Sequence, residues 1–587
     1  MALKKLSTIF THHPLLPNFL ILLVALLACA PLLQHGAISG GDLWLHLIWV
    51  KHFTTQLAQG ELYPRWMMDM HLGAGSPTFY FYAPLAYYIT AIPGLLLPWI
   101  ELATQHAIGE TLIIALSGLT FYHYAHRRFA AIPALFAALV YMLLPYHYEI
   151  DLWTRQDLSE LANYIWLPLV LDYTERLFDG EKAMIGLAIS YGGMMLTHLP
   201  TALLFSLGLA GYVLMLAYQK PSWRLSVQLS ARFSIAITIG ILLAGIYWIP
   251  AVFCQKYIHA EEWWTPNYDF NLWFFPPINR NSSIIDFPFA LRLFDILRLS
   301  TAIFALCWLN ARRGDNPQIM KRLWSCLMLV LISWFFMSSW SRLLWEHLPL
   351  LRKVQFPWRI AMVLDLATAI AALLMMNSLY LQRDKLTTLT TVVVIGLFLY
   401  SLATTSVRFT VPPDDEQVKI SMFYLVHSVL VGKDTGAHRP RWWNPAQEEN
   451  NDKYIDALGQ TGYDQRNGSI TVETWMPRRI SFNVNLQKPT TLIVRQFYFP
   501  NWRASIFGTG TVLNITPAVN TGLIQIIAPA GKYELRLDMG RLQEENAGLA
   551  STCLAILLLL GRVIWLHWHQ CVRNTPDPRN KQTIPPQ

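Results

Sequence analysis

Acidic and histidine side chains are concentrated in one polar segment, residues 34–79, which follows the first apolar run of the chain. The members of this group are Asp42, His46, Glu61, Asp69 and His71. Asp42 and His46 are four residues apart, so they share one face if residues 43–59 form a helix. A carboxylate such as Asp42 can act as a general base, or it can simply cap the start of that helix. His46, Glu61, Asp69 and His71 are candidate substrate-binding residues. The whole group could also collect a divalent cation, although its spacing matches no metal-binding signature.

A second charged group lies in residues 147–160, between two apolar runs. It consists of Glu149, Asp151, Arg155, Asp157 and Glu160. Asp151 and Arg155 have the i,i+4 spacing of a helical ion pair, so they either pair with each other or belong to a site. Charge near membrane depth is expensive and often functional. We therefore retain Asp151, Arg155 and Glu160 as candidate substrate-binding residues.

A third group, in residues 341–359, is basic. Its members are Arg342, His347, Arg352, Lys353 and Arg359. Lipid headgroups could compensate this positive charge. A phosphate group is the alternative ligand, because the forked donors of arginine suit phosphate oxygens. Arg352, Lys353 and Arg359 are the candidates for that contact.

The composition of the 587-residue chain indicates what must position these groups. Charged residues make up 14% of the chain and hydrophobic residues 54%, whereas soluble domains are about 25% charged. The chain is therefore predicted to be a polytopic membrane protein. Basic residues do not form an array with interleaved aromatics on a polar segment, so nucleic-acid binding is not expected.

Thirteen apolar runs approach the length of about 20 residues that a membrane-spanning helix needs. They are 15–33, 80–98, 107–125, 129–146, 160–177, 183–198, 200–217, 233–251, 289–309, 323–340, 359–380, 387–405 and 547–568. Basic connectors between them predict that both termini are cytoplasmic, which requires an even number of crossings. The proline-rich run 80–98 is therefore predicted to be re-entrant or interfacial, leaving twelve spans.

Residues 1–405 form the predicted transmembrane module, with outer loops at 34–79, 147–159, 255–288 and 341–358. Residues 406–546 read as an extracytoplasmic β-rich domain, followed by a final helix at 547–570 and a cytoplasmic tail at 571–587. The predicted strands are Ser469–Trp475, Arg479–Val484, Thr490–Tyr498, Arg503–Phe507, Leu523–Ala528 and Tyr533–Asp538. Their short alternating or β-branched runs favour a small sandwich or jelly roll. The stretch 412–468 has no clear assignment.

The order of several short motifs resembles the GT-C superfamily of membrane glycosyltransferases. More closely, it resembles the YfhO-type proteins and the membrane family labelled 6-pyruvoyl-tetrahydropterin-synthase-related. The matching residues are Asp42; Gly60, Glu61, Pro64 and Trp66; Gly73, Gly75, Pro77, Tyr82, Pro84 and Leu85; Pro145, Tyr146 and His147 with Asp151, Arg155 and Glu160; Leu196–His198; Trp248–Ala251; Gln355–Arg359; Phe497–Trp502; and Pro529–Tyr533. The likeness spans most of the chain except about 412–468.

This resemblance implies glycosyl transfer at the outer face of a plasma (inner) membrane. The donor would be a sugar on polyprenyl phosphate, and the acceptor an envelope glycan, lipid or protein. Asp42 matches the acid that such enzymes use as general base, and inversion at the anomeric carbon would follow. Arg342, Arg352, Lys353, Arg359 or Arg155 would stabilise the leaving phosphate. The loop has one acid at this position and not an adjacent acidic pair, which leaves open whether a divalent cation takes part.

Two functions of other classes stay open at this point. A transporter or flippase of a lipid-linked glycan would also need a membrane module, although inspection finds no inverted repeats of the kind common in such proteins. A non-catalytic envelope assembly protein could use the β-domain to bind cell-wall polymers. Formation of a glycosylated product separates the enzyme from both.

Overall fold

The architecture comes from a computed structural model of the full chain. It describes residues 10, 12–36, 41–264, 269–275, 300–301, 303–305, 307–308, 317–382 and 434–574. The predicted span 387–405 and most of 289–309 lie outside the described residues, as do the start of the predicted β-domain and the end of the tail.

Most of the described chain is helical. The α-helices are Leu16–Ala28, Ala30–His35, Leu43–Ala58, Met70–Gly73, Thr78–Phe81, Leu85–Leu96, Leu102–His126, Ala131–Leu143, Leu158–Asn163, Trp166–Phe178, Met184–Thr197, Leu199–Tyr218, Trp223–Leu243, Gly245–Phe253, Pro317–Met337, Arg342–His347, Pro349–Arg352, Ala361–Gln382, Glu448–Ala457 and Gln543–Asn574. The helix expected at residues 43–59 is present.

Six helical segments of the described chain are long and apolar enough to cross a membrane. They are Ala131–Arg155, Leu199–Tyr218, Trp223–Leu243, Ile319–Met337, Pro357–Ser378 and Gln543–Trp568. The prediction of a polytopic membrane protein is confirmed. Leu85–Leu96 is apolar but has only 12 residues, about 18 Å at 1.5 Å per residue, against a hydrocarbon core of about 30 Å. That length suits the interfacial or re-entrant role expected for 80–98, which stays a prediction.

The polar segment after Ala131–Leu143 is not the loop that its charges suggested. Residues Tyr146–Arg155 form a π-helix that continues this span and ends at Gln156, whose φ of 58° is left-handed. Pro145 lacks an N–H and disturbs the regular α pattern at the junction. Most of the segment is buried, and its acid Asp151 pairs with Arg155 at 2.9 Å. π-Helical turns are rare and occur frequently at functional sites.

In the described region before the last helix, residues 434–542, nine strands form two antiparallel sheets, with orders β1-β4-β8-β7 and β2-β3-β9-β5-β6. The strands are β1 Thr461–Gly462, β2 Gly468–Met476, β3 Arg479–Leu486, β4 Thr490–Phe497, β5 Trp502–Ile506, β6 Val512–Leu513, β7 Ile515–Pro517, β8 Leu523–Ala528 and β9 Gly531–Met539. All six predicted strands are present, each with its ends within two residues. The predicted β-domain before the last helix is confirmed.

The two sheets bury one hydrophobic core between them. Phe482 of β3 and Leu537 of β9 meet Val494 of β4 and Ile524 of β8 in a single cluster of buried side chains. Alternate residues of β3 and β4 are buried, as expected for strands that have one face on a core. The domain is therefore a β-sandwich.

The polar segment 34–79, which is the first predicted outer loop, packs against this sandwich. Trp66 belongs to the sandwich core, and its indole N–H donates to the side-chain oxygen of Gln496, 2.8 Å away. The Gln496 amide donates in turn to the carbonyls of Met68 and Gly73, at 3.0 and 2.7 Å. Gly75 brings the backbone against the Trp66 ring. The β-domain thus fixes the loop that carries Asp42.

We expect Gly75→Ala to destabilise this junction. A Cβ at position 75 would lie 2.7 Å from ring atoms of Trp66, and its φ of 89° disfavours any side chain. Strain and overpacking together should lower the free energy of unfolding by about 2–4 kcal/mol. The measurement is the midpoint of thermal unfolding in detergent, which should fall. Gly60→Ala is the matched control, because Gly60 has a φ of 91° but nothing within 4 Å of a Cβ. Equal effects of the two substitutions would show that the Trp66 contact is unimportant.

Candidate active site

Asp42 lies immediately before helix Leu43–Ala58, where a capping residue would lie. Its side chain makes no capping hydrogen bond. The backbone N–H of Asp42 donates to the carbonyl of Arg155 at 2.8 Å, which fixes the start of this helix against the end of the π-helix. The half-buried carboxylate has no hydrogen bond or ion pair with any described residue. Capping therefore does not account for Asp42.

The surroundings of Asp42 raise the pKa of its carboxyl to about 6. Burial is the largest cause, because it disfavours the charged form. The negative charge of Asp157 acts in the same direction, while Arg155 and Arg359 oppose it. At neutral pH the carboxylate is mainly ionised, yet it accepts a proton far more readily than an exposed aspartate does.

Arg155 is the centre of the neighbouring charges. Its guanidinium lies 2.9 Å from Asp151, 2.6 Å from Asp157 and 2.8 Å from Glu160. The ring of Trp358 lies 4.8 Å from the guanidinium carbon. Three carboxylates and one aromatic face thus hold a single planar cation in a fixed orientation.

Arg359 completes this cluster from another span. It lies 3.1 Å from Glu160 and 3.5 Å from Asp157. The Tyr146 hydroxyl donates to Glu160 at 2.7 Å. Asp157 also accepts from the backbone N–H of Glu160, capping helix Leu158–Asn163. We call Asp151, Arg155, Asp157, Glu160 and Arg359 the charge cluster.

His46 lies one turn beyond Asp42 and is buried. Its Nδ1 is 2.6 Å from the Tyr87 hydroxyl. Burial is the main reason that the pKa of His46 falls to about 3. The ring is therefore neutral at physiological pH, so it can orient neighbouring groups by hydrogen bonding but does not supply a positive charge.

The remaining acids and histidine of the first loop lie apart from the charge cluster. Glu61 is half-buried, 3.7 Å from Arg478 of the β-domain. Asp69 is exposed, and His71 packs its ring against Phe497 at 5.8 Å. Within the described residues, no three His, Cys, Asp or Glu side chains form a group that could hold a metal ion. The first-loop residues thus do not fit a cation site.

The third basic group is divided in the structure. Arg359 belongs to the charge cluster, whereas Arg352 and Lys353 are exposed. Lys353 donates to the Gln255 side chain at 3.3 Å, and Arg342 pairs with Glu346 at 2.7 Å. These side chains therefore do not form a single phosphate site within the described chain.

A further buried acid, Asp434, was not predicted from the sequence. Its carboxylate accepts from the Trp49 indole N–H at 3.0 Å, the Ser76 hydroxyl at 2.6 Å and the Thr78 hydroxyl at 2.7 Å. It also lies 3.1 Å from Nδ1 of His438. Asp434 thus connects the segment before the sandwich to the polar segment 34–79. The i,i+4 spacing of Asp434 and His438 was the only signal for it within an otherwise unassigned stretch.

Comparisons with known proteins reveal distant similarity. No protein-family model matches the chain, and no curated protein matches it. A crystal structure of ArnT from Cupriavidus metallidurans bound to undecaprenyl phosphate has 14% identity and a TM-score of 0.40, over 70% of this chain and 74% of that one. The oligosaccharyltransferase of Archaeoglobus fulgidus in the apo form has 13% identity and a TM-score of 0.37, over 75% of this chain and 60% of that one.

Both similarities are distant, with TM-scores below 0.5. The resemblance to the GT-C superfamily, and more narrowly to the YfhO-type proteins, rests on the sequence motifs.

We expect Arg155→Gln to destabilise the protein by about 3–5 kcal/mol, because it leaves buried carboxylates without their shared cation. The midpoint of thermal unfolding in detergent should fall well below that of the wild type. Arg466→Gln breaks an ion pair of 2.8 Å in which the arginine is 89% exposed, so it serves as the control. Exposed pairs contribute about 0–1 kcal/mol. Similar midpoints for the two variants would contradict a structural role for the charge cluster.

Proposed function

We propose that this protein is an inverting glycosyltransferase. It transfers a sugar from a polyprenyl-phosphate donor to a hydroxyl of an envelope glycan, lipid or protein at the outer face of the membrane. The observation that carries the proposal is the Asp42 carboxylate, which is half-buried and unpaired among the described residues, with a pKa of about 6. A general base works best when its pKa is near the operating pH.

In the proposed reaction, Asp42 accepts the proton of the acceptor hydroxyl as its oxygen attacks the anomeric carbon. The new C–O bond forms while the bond to the donor phosphate breaks, and its electron pair leaves with the phosphate. A single displacement inverts the anomeric configuration. The leaving phosphate is a stable anion, so the reaction does not require a general acid.

Arg155 and Arg359 are the proposed partners of the donor phosphate. Both lie within electrostatic reach of Asp42 and affect the pKa of its carboxyl. Their carboxylate partners hold the guanidinium groups in place before the donor arrives, so little reorganisation is needed as charge moves to the leaving group. Arginine suits this role because its planar donors match phosphate oxygens.

The position of this cluster suits a lipid-linked donor. Arg155 ends the apolar span Ala131–Arg155, and Arg359 lies at the start of the span Pro357–Ser378. A phosphate at the ends of these two spans can contact both arginines while its polyprenyl chain stays in the bilayer. The β-sandwich, joined to the first outer loop, would then face the acceptor.

We expect Asp42→Asn to abolish most transfer, lowering kcat by about a hundredfold to ten-thousandfold. Mass analysis of envelope glycans identifies the product by comparing cells that lack this protein with cells that carry it. The same mass analysis then measures product formation in cells that carry the variant. Kinetics of the purified variant in liposomes give its kcat. Glu449→Gln, which removes an acid that is 84% exposed on the β-domain, is the control.

Two results would contradict this role. Wild-type turnover of Asp42→Asn would remove the carboxylate from catalysis. Lipid-linked glycan that crosses the liposome bilayer without formation of a glycosidic bond would instead identify a flippase.

The pH dependence of kcat/KM should show an acid limb at about pH 6. The raised pKa means that Asp42 takes up a proton as the pH falls through this value, so the rate should drop tenfold per pH unit below it and level off above pH 7. Asp157→Asn removes a negative charge that raises the pKa of Asp42, so the limb should move to lower pH. A limb that stays in place in this variant would assign it to another group.

A further inference from the structure

The segment that joins spans Ile319–Met337 and Pro357–Ser378 has two different faces. Its inner face packs on the protein through Trp345 and Leu351, which are fully or almost fully buried. The Trp345 indole N–H donates to the carbonyl of Phe336, 3.1 Å away. These contacts fix the orientation of the two short helices Arg342–His347 and Pro349–Arg352.

The outer face exposes large apolar side chains. Trp340 is 85% exposed, Leu343 68% and Leu350 63%. The end of the preceding span also exposes apolar residues, namely Leu331, Trp334 and Phe335. A patch of this kind rarely faces water in a stable protein. The patch continues the exposed apolar side of the span Ile319–Met337. The lipid that covers this span is therefore expected to cover the segment as well.

Two exposed cations border this apolar surface. Arg352 has no partner among the described residues, and Lys353 donates only to the neutral side chain of Gln255. Arg342 differs from them, because Glu346 neutralises it at 2.7 Å. Long basic side chains at a membrane boundary extend toward the headgroups while their stems cover apolar surface.

We propose that Trp340, Leu343, Leu350, Arg352 and Lys353 form a binding face for anionic phospholipids. The apolar members enter the boundary between headgroups and acyl chains, where tryptophan is enriched in membrane proteins. The guanidinium and ammonium groups contact the lipid phosphates. The occupant is the phospholipid of the surrounding bilayer, because the face continues the lipid-exposed side of the span.

Hydrogen–deuterium exchange of the full-length protein in nanodiscs tests this proposal. Amides of residues 342–353 should exchange more slowly in an equimolar mixture of phosphatidylglycerol and phosphatidylcholine than in phosphatidylcholine alone. Each cation near an anionic surface strengthens association by about fivefold. The double variant Arg352→Gln/Lys353→Gln should therefore lose the difference between the two lipid compositions.

The control is Lys453→Gln/Arg466→Gln, which removes two exposed cations of the β-domain and should retain the lipid-dependent difference. Equal exchange in both lipid compositions would overturn the proposal, as would a difference that persists in Arg352→Gln/Lys353→Gln. Full protection by a trace of undecaprenyl phosphate in phosphatidylcholine would also overturn it, because the face would then bind the lipid carrier. None of these readouts requires glycosyl transfer, so they are independent of the proposed function.

Discussion

The arrangement of the candidate site depends on one buried cation shared by three carboxylates. Arg155 contacts Asp151, Asp157 and Glu160, and each of these acids is almost completely buried. Burying so many charges in apolar surroundings is costly unless they neutralise one another. The π-helix, the short capped helix after it and the start of the span that carries Arg359 must therefore keep their relative positions. Asp42 is fixed against the same structure by its backbone hydrogen bond to Arg155.

The β-sandwich contributes to the candidate site through the polar segment 34–79. Gln496 and Trp66 connect the sandwich to one part of this polar segment, and Asp434 connects the segment before the sandwich to Trp49, Ser76 and Thr78. Trp49 belongs to the helix that begins after Asp42. Displacement of the sandwich would thus disturb the helix that positions Asp42, although the sandwich itself lies hundreds of residues away in sequence.

Local patterns in the sequence predicted much of this fold. Alternating apolar residues between turn signals predicted six strands. The second charged group stood out because the rest of the apolar sequence contains few charges. Contacts between residues far apart in sequence could not be predicted. No periodicity links Asp434 to Trp49, and no local pattern indicates that Gln496 contacts Trp66. The members of the third basic group do not lie together, and this has a physical reason. Gln355 has a left-handed φ of 69°, and Pro357 starts the next turn, so the chain changes direction between Lys353 and Arg359.

The balance of charge explains why, of the four acids, Asp42 is the one proposed as the general base. Asp151, Asp157 and Glu160 all pair with Arg155, and Arg359 adds a second cation to two of them. Each of them thus has at least one oxygen engaged with a guanidinium group. Asp42 belongs to a different segment. It lies in the electrostatic field of the charge cluster but forms no ion pair with a described residue. Burial and the nearby acids raise its proton affinity, while the two arginines keep the carboxylate ionised at neutral pH. A fully paired acid would be a poor base and an exposed one would have a low pKa, so the unpaired position at the edge of the cluster is the one suited to proton transfer.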